Sequence, residues 1–192
     1  MKSFISLIAV TILFSLSVKA QESFPYSALL TDINGNEINS NTFDNQGSPL
    51  IIDFWGVFCK PCIIKYHSMA EVYEEWQKET GVKIIIVSID NEKMQSMSKK
   101  MIDKYNWPFD AYFDPNQELL RQLSQSTSVP QTFVYDGNFN LIKKKTGAKI
   151  ISKDPSTDHS KVMDILSGGG SLESLACDLS EYQKAVKEAV NE

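Results

Sequence analysis

The amino-acid sequence predicts one α/β domain built as a sandwich, with a mixed central β-sheet flanked by helices. Three observations carry that prediction. The apolar run Pro49-Leu50-Ile51-Ile52-Asp53-Phe54-Trp55 passes through a short turn into a long helical pattern. A second uninterrupted run, Val82 to Ile89, has the β-branched composition of a central strand covered on both faces and is expected to lie parallel to the first. Helical and extended patterns then alternate until two extended stretches meet across Asp136-Gly137-Asn138, so the sheet should end in a hairpin.

Taken in order, Met1 and Lys2 precede an apolar stretch from Phe4 to Val18 that ends in Val18-Lys19-Ala20, the pattern of a secretory signal peptide over residues 1–20. About 15 apolar residues interrupted by serines and threonines are short for a membrane span, which needs roughly 20. Cleavage after Ala20 would leave 17 basic and 24 acidic residues, a net charge of −7. That mildly acidic balance argues against nucleic-acid binding and fits solubility in an extracytoplasmic space. Three cysteines, two of them in one motif, are the wrong pattern for a fold stapled by structural disulfides. The core is therefore held by apolar burial.

Residues 21–166 form the predicted main domain. Ser27 to Asp32 and Asn36 to Ile38 flank Asn34-Gly35, a pair suited to a tight hairpin. Leu50 to Trp55 is the first buried strand, and Pro61 to Lys78 a long helix with proline tolerated in its first turn and Gly81 as its stop. After the Val82–Ile89 strand, Met94, Met97, Met101 and Ile102 recur at helical spacing until Trp107-Pro108, and Phe109 to Phe113 is extended. Asp114-Pro115 is expected to cap a helix running to about Gln125. Strands follow at 132–135 and 139–145, and Gly147 closes the sheet. Ser167 to Ser171 is a Gly-rich hinge, and residues 172–192 an appended helical extension bearing an apolar stripe of Leu175, Leu179, Tyr182, Val186 and Val190.

The chemistry sits in Cys59-Lys60-Pro61-Cys62, where the first strand gives way to the first helix. Two cysteines separated by two residues on a helix's first turn can close a small disulfide ring, and the first faces the partial positive charge of the helix N-terminus, which favours its thiolate. Cys59 is thus the candidate nucleophile and Cys62 the resolving thiol. Lys60 either lowers the thiolate's pKa modestly or is an exposed loop lysine without redox effect. Trp55 and Phe58 are candidate walls of a substrate site or plain core and surface aromatics.

Asp53-Phe54-Trp55 followed by Cys59-Lys60-Pro61-Cys62, with Val129-Pro130-Gln131-Thr132-Phe133 far downstream, resembles the thioredoxin superfamily. The signal segment, the N-terminal hairpin, the additional helix-strand unit between Asn91 and Phe113 and the Phe54-Trp55-Gly56 phrase make it most similar to the TlpA/ResA-like thiol-disulfide oxidoreductases, from about Ser27 to Leu166. That resemblance implies a cis peptide at Val129-Pro130 packed near the dithiol, with both residues contributing to substrate binding. It also implies a proton-accepting and proton-donating role for Asp53 and a redox-tuning role for Lys60 and Pro61. It implies disulfide-bearing secreted or envelope proteins as substrates, a membrane electron donor and a periplasmic or extracytoplasmic location; no cofactor is expected, and the oligomeric state is left open with a monomer favoured.

The chain departs from the family at two positions. Lys65 stands three residues after Cys62, where ResA-like members carry a glutamate, and His67 stands where many relatives have a helix-kinking proline. The competing readings are an oxidant of secreted thiols, a copper-delivery protein and a binding module with a structural disulfide. Metal-delivery relatives usually space their cysteines by three residues and add a nearby histidine, whereas His67 and His159 are far apart in this sequence, so no stable metal is expected. The Thr-x-x-Cys nucleophile of peroxiredoxins is missing, since Gly56 lies three residues before Cys59. Cys177, on the expected C-terminal helix, is read as a small packed residue, with intermolecular pairing or exchange with the dithiol as alternatives. Lys143-Lys144-Lys145 is read as an edge-strand charge run.

Overall fold

The computed structural model describes residues 23–191, so the signal-type segment over 1–20 lies outside the described residues. Strands β1 (Leu29–Asp32), β2 (Glu37–Asn39), β3 (Leu50–Trp55), β4 (Lys83–Ser88), β5 (Asp110–Phe113), β6 (Gln131–Tyr135) and β7 (Leu141–Thr146) form one seven-stranded sheet in the order β2-β1-β5-β4-β3-β6-β7. β3, β4 and β5 are parallel, and β1, β6 and β7 join antiparallel. The sheet is mixed, as the sequence predicts.

Every residue of β3 is buried, because both faces of the central strand are covered. Its side chains divide by the two-residue period of a strand. Ile51 and Trp55 pack with Ile84, Ile86 and Val134 beneath helix α1 (Lys60–Thr80), while Leu50, Ile52 and Phe54 pack with Ile85, Val87, Phe133 and Tyr135 beneath helix α3 (Glu118–Leu123) and the N-terminal segment. Asp53 falls between Ile51 and Trp55 and so points to the α1 side. In register it stands opposite Ile86 of β4 and Thr132 of β6.

Helix α1 is continuous over 21 residues through His67 and ends at Gly81, whose φ of 71° lets its N–H reach back to the Gln77 carbonyl. Helix α2 (Glu92–Tyr105) starts at Asn91, whose side chain accepts from the Lys93 N–H, and closes on Asn106. Helix α3 starts later than the sequence suggests. The Asp114 carboxylate accepts from the N–H groups of Glu118, Leu119 and Leu120, so Pro115 and Asn116 lie in the turn leading into the helix instead of in its first turn. The second hairpin strand likewise begins at Leu141, because Phe139 takes a positive φ of 62° in the turn.

The C-terminal region departs furthest from the sequence reading. Residues 172–190 are not one helix: Leu172–Ser174 is a single 3-10 turn, Leu175–Cys177 is strand β9, and only helix α5 (Ser180–Val190) is helical. Strand β8 (Ile150–Ser152), which the sequence reading passes over, pairs antiparallel with β9. Cys177 therefore sits on a strand, its N–H donating to Ser68 Oγ of α1. Val190 of the predicted stripe is exposed, and Ala185 and Ala189 are buried in its place. Helix α4 (His159–Asp164) runs into a π turn over Ile165–Gly169. The Gly-rich segment is drawn back onto α4: a Cβ on Gly169 would lie 2.3 Å from Asp164 Oδ2.

This unit covers the outer side of α1. Ile64 packs with Val162, Ile165 and Leu175 away from the sheet, while Cys177, Tyr182, Ala185 and Val186 join Ile51, Trp55 and Cys62 in the core between α1 and the sheet. Helix α1 is buried on both sides as a result, including positions a two-layer fold would leave wet.

Candidate active site

Cys59 is the N-cap of α1, Cys62 lies in its first turn, and the two are disulfide-bonded. Cys59 is partly exposed and Cys62 wholly buried. The Cys62 N–H donates to Cys59 Sγ at 3.3 Å, so the outer sulfur already occupies the anion-favouring position at the helix start. Pro61 sits in that first turn, where its missing N–H costs nothing. Lys60 is turned away from the sulfurs, its Nζ donating to the Leu166 carbonyl at 2.9 Å, so the cation between the cysteines is anchored to the C-terminal unit.

A groove of about 430 Å³ opens beside Cys59, lined by Gly56, Phe58, Ile89, Asp90, Met94 and Val129. Phe58 is 79% exposed at its rim. The Val129–Pro130 peptide bond is cis, Val129 borders the groove, and Pro130 is buried behind it with its carbonyl accepting from Gly147 N–H. Trp55 does not face the groove. It is 0% exposed and packs edge-on against Tyr66 and Trp107, so a substrate cannot touch it, and its part is to support the floor.

Asp53 and Lys65 are both 0% exposed and form an ion pair, with Lys65 Nζ 2.5 Å from Asp53 Oδ2. Thr132 Oγ1 donates to the same oxygen at 2.6 Å and Tyr66 Oη to Oδ1 at 2.8 Å. Lys65 Nζ also donates to Thr132 Oγ1 and lies 5.7 Å from the centre of the Tyr182 ring. Lys65 follows Cys62 by three residues, one turn of helix, which puts it on the helix face beneath the inner cysteine. Burial pushes the Tyr66 phenol well above its usual range, and the Asp53 carboxylate adds to this. Burial and then Asp53 raise Tyr182 in the same way. Burial also drives the Cys177 thiol up to about 11, so it is a packed thiol.

Asp90 shapes the other side. Its Oδ2 accepts from Val57 N–H at 3.0 Å and from the hydroxyls of Ser88 and Ser98 at 2.8 Å each, which ties the loop carrying Cys59 to the end of β4 and the middle of α2. Gly56 lies against the same carboxylate, where a Cβ would stand 3.1 Å from Oδ1. His67, on the exposed side of α1, is set edge-on to Tyr105 at 4.6 Å, and burial lowers its pKa. It lies apart from the dithiol's groove. The structure thus brings together Cys59, Cys62, Phe58 and Val129, puts Asp53 and Pro130 behind them, and adds Lys65, Tyr66, Asp90, Thr132 and Tyr182. Lys65, Thr132 and Tyr182 stand out in the sequence as a departure, a motif member and a stripe residue without a role in the site, and Asp90 carries a signal the sequence reading leaves unused, as an acid at the carboxyl end of a central parallel strand.

The AhpC/TSA family profile matches residues 20–144, more than half of the chain. The chain belongs to the AhpC/TSA family. This AhpC/TSA-family chain is 29% identical over 119 residues to the thiol-disulfide oxidoreductase ResA of Geobacillus thermodenitrificans and 28% identical over 119 residues to ResA of Bacillus cereus. Each match covers 62% of this chain, which spans about 65% of the length of these curated relatives. Among solved structures, a thioredoxin-like protein from Porphyromonas gingivalis matches with a TM-score of 0.65 and 27% identity, over 90% of this chain and 95% of that one. StoA from Bacillus subtilis matches with a TM-score of 0.51 and 21% identity, over 76% and 98%, which supports the fold alone. The family match ends at Lys144, so β8, α4, β9 and α5 lie beyond it.

Proposed function

We propose that the protein is a thiol-disulfide oxidoreductase of the cell envelope that reduces disulfides of secreted proteins through Cys59 and Cys62. The observation that carries this reading is the asymmetry of the pair: Cys59 is partly exposed at a helix N-terminus beside a groove, and Cys62 is buried behind it. The Cys59 thiolate attacks one sulfur of the substrate disulfide, forming a mixed disulfide and expelling the other sulfur as a thiolate, which takes a proton from solvent. The Cys62 thiol then gives its proton to Asp53 and attacks Cys59 Sγ. The Cys59–substrate bond breaks, the second substrate thiolate leaves with that proton, and the enzyme ends oxidised by two electrons. A reductant at the membrane restores the dithiol.

Phe58, Ile89, Met94 and Val129 give the groove an apolar lining suited to an extended, partly apolar segment beside the substrate disulfide. The signal-type pattern over 1–20 supports export, and the curated relatives bearing the oxidoreductase name support the activity. Among the described residues no helix is long and apolar enough to cross a membrane. Trapping tests the reading: the reduced Cys62→Ser variant should hold a disulfide-bearing protein as a mixed disulfide through Cys59, seen by mass spectrometry and released by dithiothreitol. No adduct with Cys62→Ser, or an equal one with Cys59→Ser, would exclude the assigned roles.

A further inference from the structure

The position three residues after Cys62 holds a cation where the resemblance implies an acid, and that cation is buried against Asp53. Each side of this arrangement alone would be costly. An uncompensated charge away from water costs several kcal/mol, and both Asp53 and Lys65 are wholly buried. The surroundings are built for the pair: Thr132 bridges both partners, Tyr66 donates to Asp53, and Tyr182 from α5 lays its ring beside the Lys65 ammonium. Asp53 Oδ2 accepts two donors, Lys65 and Thr132, while Oδ1 accepts a side-chain donor only from Tyr66, so Oδ1 is the oxygen with a lone pair to spare.

We propose that Lys65 is a positioning residue for the dithiol chemistry, holding the Asp53 carboxylate by Oδ2 and leaving Oδ1 to take and return the Cys62 proton. The C-terminal unit is part of this device, since the centre of the Tyr182 ring, on α5, lies 5.7 Å from the Lys65 ammonium. In this arrangement the proton moves from Cys62 Sγ to Asp53 Oδ1 as Cys62 attacks, and back out to the departing substrate thiolate. Lys65 gains and loses no proton. The titratable and charged groups that interact with Asp53 are Lys65 and Tyr66 of α1, Tyr182 of α5 and Cys177 of β9. Of these, Lys65 is the only cation.

The inference rests on the dithiol reading, and the test separates the two. The rate at which the pre-reduced full-length chain reduces glutathione disulfide is measured from pH 5 to 9 for wild type, Lys65→Met, Asp53→Asn and the double variant. Removing the Oδ2 donor frees the carboxylate to turn, so Lys65→Met should lower the rate in the same sense as Asp53→Asn and by no more than that variant does. Asp53→Asn should lower the rate about ten- to a hundredfold while leaving the rise that Cys59 ionisation gives, and the double variant should match Asp53→Asn, because Lys65 acts only through Asp53. A Lys65→Met profile that coincides with wild type, or a double variant slower than Asp53→Asn, overturns the inference. If Lys65→Met does not fold, the comparison of Asp53→Asn with the double variant decides it. A wild-type chain that reduces no disulfide overturns the dithiol reading instead.

Discussion

Replacing Asp90 by alanine removes the acceptor of three hydrogen bonds at once, and the structure says how much of that loss cannot be recovered. Hydrogen bonds to an ionised group each contribute about 1.5–3 kcal/mol. The three are not independent, because the Ser88 and Ser98 hydroxyls lie 3.4 Å apart and can turn toward each other, and Ser98 also has the Met94 carbonyl at 3.3 Å. The Val57 N–H has no such alternative within a buried loop residue, so it is left unpaired at about 1–3 kcal/mol. With a weakened serine pair added, the Asp90→Ala chain should be about 2–4 kcal/mol less stable. At a urea slope of about 2 kcal/mol per molar the unfolding midpoint falls by roughly 1–2 M. Asp90→Asn keeps a carbonyl oxygen for the Val57 N–H and should lose only about 1 kcal/mol. Equilibrium urea unfolding followed by tryptophan fluorescence is the assay. An Asp90→Ala midpoint indistinguishable from wild type would refute the claim that this carboxylate holds the Cys59 loop.

Three more predictions follow from packing and burial. The Cys177 thiol, raised from an ordinary 9.0 to about 11, contributes stability that is complete below pH 9 and is lost as pH rises to 11, because only the unfolded chain ionises in that window. Unfolding measured at pH 9 and 11 should lose about 2–3 kcal/mol more in wild type than in Cys177→Ser, and equal losses would contradict the buried placement. Gly137→Ala should be more damaging than Gly81→Ala, since its Cβ would stand 2.2 Å from the Gly47 carbonyl oxygen, a backbone atom, whereas Gly81→Ala meets the rotatable Ser48 hydroxyl at 2.7 Å and about 1 kcal/mol of strain at its φ of 71°. Thermal unfolding that ranks them the other way would be evidence against the packing of that turn. Phe58→Ser should leave stability within about 0.5 kcal/mol while raising KM for a protein disulfide, because the ring is exposed and meets only what enters the groove.

The sequence exposes what depends on short-range pattern. The continuous apolar runs of β3 and β4, the Asn34-Gly35 hairpin and the Gly81 stop each have a local physical cause, and each is found where that cause puts it. The dithiol is equally legible, since strand, turn and helix start are contiguous. What is not legible depends on partners distant in the chain. Lys65 on a helix ordinarily reaches water, and nothing in its neighbourhood shows that Asp53, twelve residues earlier, and Thr132, 67 residues later, enclose it. β8 and β9 are three residues each, too short to show alternation, and Leu172 to Val190 has enough helical spacing to hide a strand. Trp55 beside the motif invites a substrate role, but the two-residue period that sends Asp53 to the α1 side sends Trp55 there too, into the aromatic core. Lys60 could not be placed because its partner, the Leu166 carbonyl, belongs to the C-terminal unit.

The central claim is that Cys59 and Cys62 are a reversible, reducing dithiol, and their reduction potential tests it most directly. The measurement uses the full chain with Cys177→Ser, equilibrated in dithiothreitol and glutathione buffers and read by alkylation mass shift. The account predicts full, reversible conversion of the pair with a potential of about −250 mV or below, in the range of reducing thioredoxins. A value near about −120 mV would make the protein an oxidant of thiols and contradict the proposed direction, and a pair that does not cycle would contradict the dithiol chemistry itself.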